Sequence, residues 1–168
     1  MRKWLVASVG LVALFAAARA AETGKTTGKV CAVTEEVLEI AVEGQVARFF
    51  VPRRNKLAVL EVSQVNRGEE ITVVWVLDGG KKWVRDIEGR GTLVGQVTAK
   101  GERWIEVKPE GGKPQRFRPR WVGGSPAAGG GFDKKMLAAI RETALGTRVK
   151  LTWEMPEGKR VVAIEPVR

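Results

Sequence analysis

Apolar and polar residues alternate in two stretches far apart in the chain. Ile71, Val73, Trp75 and Leu77 fall on one side of the first, and Val149, Leu151, Trp153 and Met155 on one side of the second. Side chains along a strand point alternately to opposite faces, so each stretch predicts a strand with its apolar face inward. The same alternation, broken by turn-forming clusters such as "DGG" (78–80) and "PEGK" (156–159), divides the remainder into short strands. Ile105 and Val107 are expected inward on one of them, with Trp104, Glu106 and Lys108 outward. On the next, "KPQRFRPRW" (113–121), Phe117 and Trp121 are expected inward and Arg116, Arg118 and Arg120 outward.

One segment has a different period. In "GGFDKKMLAAIRETALG" (130–146), Met136, Leu137, Ile140 and Ala144 recur at helical spacing, with Asp133 placed to cap the start and Gly146 to stop the end. Phe132 is placed to staple onto Leu137. "LAVLEVSQVNRG" (57–68) stands at the equivalent place with a poorer polar face, and a weaker or irregular helix is expected there. "GGSPAAGGG" (123–131) has no periodicity and reads as a loop.

These patterns occur twice in the same order. "VCAVT" (30–34) matches "VGQVT" (94–98), "LEIAV" (38–42) matches "WIEV" (104–107), and "RFFVPR" (48–53) matches "RFRPR" (116–120). The Gly68 to Trp75 strand matches Gly146 to Trp153, and "VRDIE" (84–88) matches "VVAIE" (161–165). The chain therefore reads as two homologous modules, residues 26–89 and 90–168, the second with the Gly-rich insertion at 123–131. Each has the order strand, strand, strand, helix, strand, strand. The expected fold is all-β: two tandem five-stranded OB-like barrels, with SH3-like barrels as the alternative and a short helix between strands 3 and 4 at least in the second. Trp75, Trp153, Val73, Leu151, Phe49 and Phe117 are expected in the cores.

Charge changes the picture by its distribution. Residues 21–90 hold 11 basic and 11 acidic side chains, whereas residues 91–168 hold 15 and 8. The basic excess therefore lies in the second module, where it would attract anionic partners. "MRKWLVASVGLVALFAAARA" (1–20) has a basic start, an apolar centre and small residues before a cleavage point after Ala20 or Ala21. This predicts an export signal, a periplasmic or extracellular protein, and no stable membrane span once the signal is removed. The single cysteine, Cys31, excludes an intramolecular disulfide and is expected buried as a small apolar residue.

The first module, with its "RF" strand and its G-x-x-[IV] strand leading to an aspartate and an isoleucine, resembles the small periplasmic copper- and silver-binding chaperones of the Cus efflux type. The resemblance implies an exported five-stranded barrel, and it would imply a metal site of one His, one Trp and two Met residues just before the "RF" pair. Those methionine positions read Gln45 and Ala47 in the first module and Lys113 and Gln115 in the second, and the chain has no His. Soft-metal binding needs thioether, thiolate or imidazole donors, so no metal and no other cofactor is expected.

The lack of His also excludes Ser-His-Asp and Cys-His nucleophilic chemistry, and no phosphate-binding glycine motif occurs. Glu35-Glu36 and Glu69-Glu70 are adjacent at turns and are expected to point apart or into water. A non-enzymatic binding or adaptor protein is the expectation. Its candidate site is Trp104 beside Arg116, Arg118 and Arg120, an aromatic platform near three cations suited to an anionic polymer, nucleic acid or polysaccharide. The alternative partner is a protein of the cell envelope, with the chain as a structural component.

Overall fold

The computed structural model describes residues 21–155 and 157–167; the segment 1–20, where an export signal is expected, and Pro156 of the "PEGK" turn lie outside the described residues. The chain is mostly β. Its first part contains β1 (Thr23–Val33), β2 (Val37–Val42), β3 (Gln45–Phe50), α1 (Lys56–Gln64) and β4 (Glu70–Asp78). A long strand β5 (Lys81–Gly101) follows. Then come β6 (Trp104–Pro109), β7 (Gln115–Pro119), β8 (Trp121–Val122), β9 (Gly131–Phe132), α2 (Lys134–Glu142), β10 (Arg148–Glu154) and β11 (Arg160–Pro166). Among the described residues no helix is long and apolar enough to cross a membrane.

The pairing repeats. In the first half β1 pairs with β2, β2 with β3, β3 in parallel with β5, β5 with β4, and β4 back with β1. In the second half the far end of β5 takes the place of β1: it pairs with β6, β6 with β7, β7 in parallel with β11, β11 with β10, and β10 back with β5. Residues 89 and 90, where the sequence repeat places its join, lie inside β5. One continuous strand thus serves both halves.

The structural equivalence also corrects the alignment of the first strands. Val30 corresponds to Val97, three residues past the "VGQVT" valine: Gly68 N donates to Val30 O and Gly146 N to Val97 O, each at 2.9 Å. Both strands are bulged one residue later, at Cys31 and at Thr98. A bulge turns that residue off the alternation, which explains why Cys31 is half-buried and not in the core as expected. Gly28 and Gly95 make the pattern possible, because a Cβ on either would lie 2.4 Å from a carbonyl oxygen of the next strand, Ala41 or Lys108.

All six expected core residues are buried, Phe49, Phe117, Val73 and Leu151 completely, and the buried residues of both halves form one cluster. Each core tryptophan packs against a glycine across the sheet. Gly24 faces Trp75 and Gly91 faces Trp153 in register. A methyl group on Gly91 would sit 2.7 Å from Trp153 Cζ2. Gly91→Ala should therefore cost about 1–3 kcal/mol by overpacking, read from urea unfolding; a change within 0.5 kcal/mol, about the size of an ordinary surface substitution, would refute this packing.

The helices are more alike than their sequences suggest. The segment expected to be weak or irregular forms α1 with 9 residues, as long as α2. Its N-cap explains this: Asn55 Oδ1 accepts from Leu57 N and Ala58 N, as Asp133 Oδ1 accepts from Lys135 N and Met136 N. α2 ends at Glu142, short of Gly146 and Ala144. Lys100 Nζ donates there to the carbonyls of Ile140, Arg141 and Thr143 at 3.3, 2.6 and 2.6 Å, a cation at the negative end of the helix.

Two further expectations change. Trp121 points outward and is 42 % exposed. The strand breaks at Arg120, and β8 instead pairs with β9 to clasp the Gly-rich loop, with Trp121 edge-on to Phe132 at 5.3 Å and its Nε1 donating to Gly124 O. Glu69 turns inward: its Oε1 accepts from Lys159 Nζ.

Candidate functional site

β6 and β7 pair with Ile105 opposite Phe117 and Glu106 opposite Arg116, so the inward and outward faces of both strands follow the expected alternation as far as Pro119. Trp104 is half-buried, and the Arg116 guanidinium lies 3.9 Å from its ring centroid. Arg116 also reaches Glu106 at 3.5 Å, and Glu106 accepts from Thr98 Oγ1. The same ion pair occurs in the first half, where Arg48 Nη2 is 2.7 Å from Glu39 Oε1. The Arg116–Glu106 pair is therefore an element of the repeat. The stacking of Arg116 on Trp104 is specific to the second half, and it covers the ring a ligand base would use.

The three arginines do not form one row. Arg118 lines a groove with Arg116, Glu157, Gly158, Lys159 and Arg160 of the second half and Leu60 and Gln64 of α1. Arg120 follows the break in the strand and turns away. Its Nε lies 3.6 Å from Asp133 Oδ2 and its Nη1 3.9 Å from Glu154 Oε1. Two carboxylates thus offset the charge of Arg120. Trp104, Arg116 and Arg118 stay together, and Arg120 does not join them.

Behind the groove the two halves meet in a polar network. Lys159 is 4 % exposed, with its Nζ donating to Glu69 and Gln115 and lying 4.3 Å from the Trp153 ring centroid. Burial pushes the Lys159 ammonium below the ordinary lysine range, and the neighbouring Glu69 carboxylate acts against this. Asn66 Nδ2 donates to Glu69 Oε1 and Gln115 Oε1 at 2.9 and 3.0 Å, and Gln64 Oε1 accepts from Lys159 N at 2.6 Å. Beside it Glu61 of α1 is fully buried. Its Oε2 accepts from Ile87 N at 3.0 Å, and its Oε1 has no hydrogen-bond partner among the described residues.

Sequence reasoning missed Arg160, Lys159, Gln64 and Glu61. Three of them belong to connections or to a helix with no polar signature, and β11 meets β7 only through the parallel pairing of distant segments. One signal existed: a charged residue, Glu61, at the helical spacing of the buried Ala58 and Val62. Comparison with protein-family models, with curated proteins and with solved structures finds nothing that matches the chain.

Proposed function

We propose that the chain is an exported, non-enzymatic binding protein of two tandem OB-like barrels, whose second half takes an anionic polymer on the face of β6 and β7. The barrel reading is supported by the closed circuit of pairings in each half, with the third strand parallel to the fifth. The observation that carries the binding reading is the joint placement of Arg116 and Arg118 on one groove beside Trp104, in the half that holds the basic excess. Arg120, paired to Asp133 and Glu154, adds to the field and not to the contact surface. The likeness to Cus-type chaperones bears on fold and compartment alone, since Gln45, Ala47, Lys113 and Gln115 offer no soft ligand.

Retention on immobilised heparin and on single-stranded DNA at low and moderate salt tests this. Retention should fall steeply with salt, and the triple variant Arg116→Ala, Arg118→Ala, Arg120→Ala should flatten the slope by roughly one unit for each ligand anion that the variant no longer neutralises. Retention that is absent, or insensitive to salt, overturns the proposal and favours a structural component of the cell envelope.

A further inference from the structure

The two halves differ in chemistry at one structurally equivalent position of the parallel strand pair. In the first half Phe50 of β3 stands in register with Trp83 of β5, with ring centroids 5.7 Å apart and the Lys81 ammonium 4.9 Å from the Phe50 ring. In the second half the same register holds Arg118 of β7 and Arg160 of β11. An aromatic contact is replaced by two arginines in register on one groove, a like-charge pairing that neighbouring strands disfavour. Arg160 feels it: burial lowers its pKa from the ordinary arginine value, Glu157 acts against this, and the charge of Arg118 lowers it further.

The nearby acid reaches Arg160 and not Arg118. Glu157 lies 3.9 Å from Arg160 Nη2 with its own side chain 72 % exposed. Its backbone carbonyl accepts from the same nitrogen at 2.9 Å. Lys159 is turned inward onto Glu69, and Arg116 has Glu106 and Trp104. Arg118 makes no ion pair or hydrogen bond among the described residues. The groove over these groups encloses about 180 Å³. This is below the roughly 300 Å³ at which pockets for whole small molecules begin. It suits one charged group of a larger ligand.

We infer that this groove seats a single phosphoryl or sulfuryl group of an anionic polysaccharide, held jointly by the forks of Arg118 and Arg160. The inference rests on the polyanion reading above and narrows it. A tetrahedral oxyanion between two guanidiniums accepts donors from both and removes their mutual repulsion. A polysaccharide is favoured over a nucleic acid because the Trp104 face is already covered by Arg116, so a base stacking there would have to displace a guanidinium.

Heparin affinity at low salt, measured by titration calorimetry, tests the seat. Arg118→Gln and Arg160→Gln should each weaken heparin by about tenfold, the cost of a lost hydrogen bond to a charged group, while Arg54→Gln in the first half should not. Arg160 also bonds the turn before β11, so the exposed Arg118 carries the test if the Arg160 variant folds poorly. Inorganic phosphate and inorganic sulfate should compete with heparin for the wild-type protein, and their order tells the two oxyanions apart; competition by neither overturns the seat. Salt-dependent heparin binding that ignores both substitutions overturns the seat and leaves the polyanion reading intact, whereas binding of neither heparin nor single-stranded DNA overturns both. Tighter binding of an oligo-dT strand than of heparin, lost in Trp104→Ala, overturns the choice of polysaccharide.

Discussion

Glu61→Gln should stabilise the protein at pH 8 by up to about 3 kcal/mol and change it little at pH 5. The carboxyl of Glu61 is enclosed by α1, β5 and the turn before β11, and burial, then the neighbouring Asp86, raise its pKa from 4.5 to about 7; the amide hydrogen bond from Ile87 acts in the opposite sense. The folded state therefore keeps a proton that the unfolded chain releases. Well below pH 4.5 both states are protonated and no penalty exists. As the pH rises through about 7 the native state must hold a buried carboxylate, and the stability present in acid is lost. The chain has no histidine, so the side chain that ordinarily titrates in this window is missing and the change isolates Glu61. Urea unfolding of both proteins at pH 5 and pH 8 gives the answer. Equal pH dependence in the two would refute the assignment.

Lys159→Met should cost about 3 kcal/mol or more, because it breaks a buried pair and leaves its partner unmatched. Methionine keeps most of the packing against Trp153 and removes the ammonium that holds Glu69 and Gln115. The loss falls where the halves meet: Glu69 and Asn66 come from the first, Gln115 and Lys159 from the second. Adding Glu69→Gln to Lys159→Met should restore part of the stability, since it removes the stranded charge. A double-mutant cycle by urea unfolding measures this. Strictly additive losses would mean that the two groups do not interact.

The two halves differ at positions where they touch. At the helix position equivalent to Glu61 the second half has Ala139, which is half-buried and apolar. At the register position of Phe50 and Trp83 it has Arg118 and Arg160. Arg118 and Arg160 thus stand at the junction, next to the buried Lys159 and Glu61. Lys159, which joins the halves, directly precedes Arg160 of the proposed seat.

Alternation and capping were legible along the chain because they act over a few residues. Ile71, Val73 and Trp75 declare their face by period two, and Asp133 declares a helix start by its own side chain. The repeat, the core tryptophans and the basic excess followed from the same local marks. The bulges at Cys31 and Thr98 were not legible, because a bulge is a mismatch of register with another strand, here β2 or β6. The outward turn of Trp121 was hidden for a similar reason: the strand breaks at Arg120 to pair with a segment beyond the loop. What the sequence determined by itself was therefore the kinds of element, their order and their duplication. The tertiary structure alone decided that β5 runs through both halves, that Arg118 meets Arg160 while Arg120 leaves the row, and that Glu61 and Lys159 are buried. Those outcomes depend on pairings between distant segments, which no local pattern of apolar and polar residues encodes.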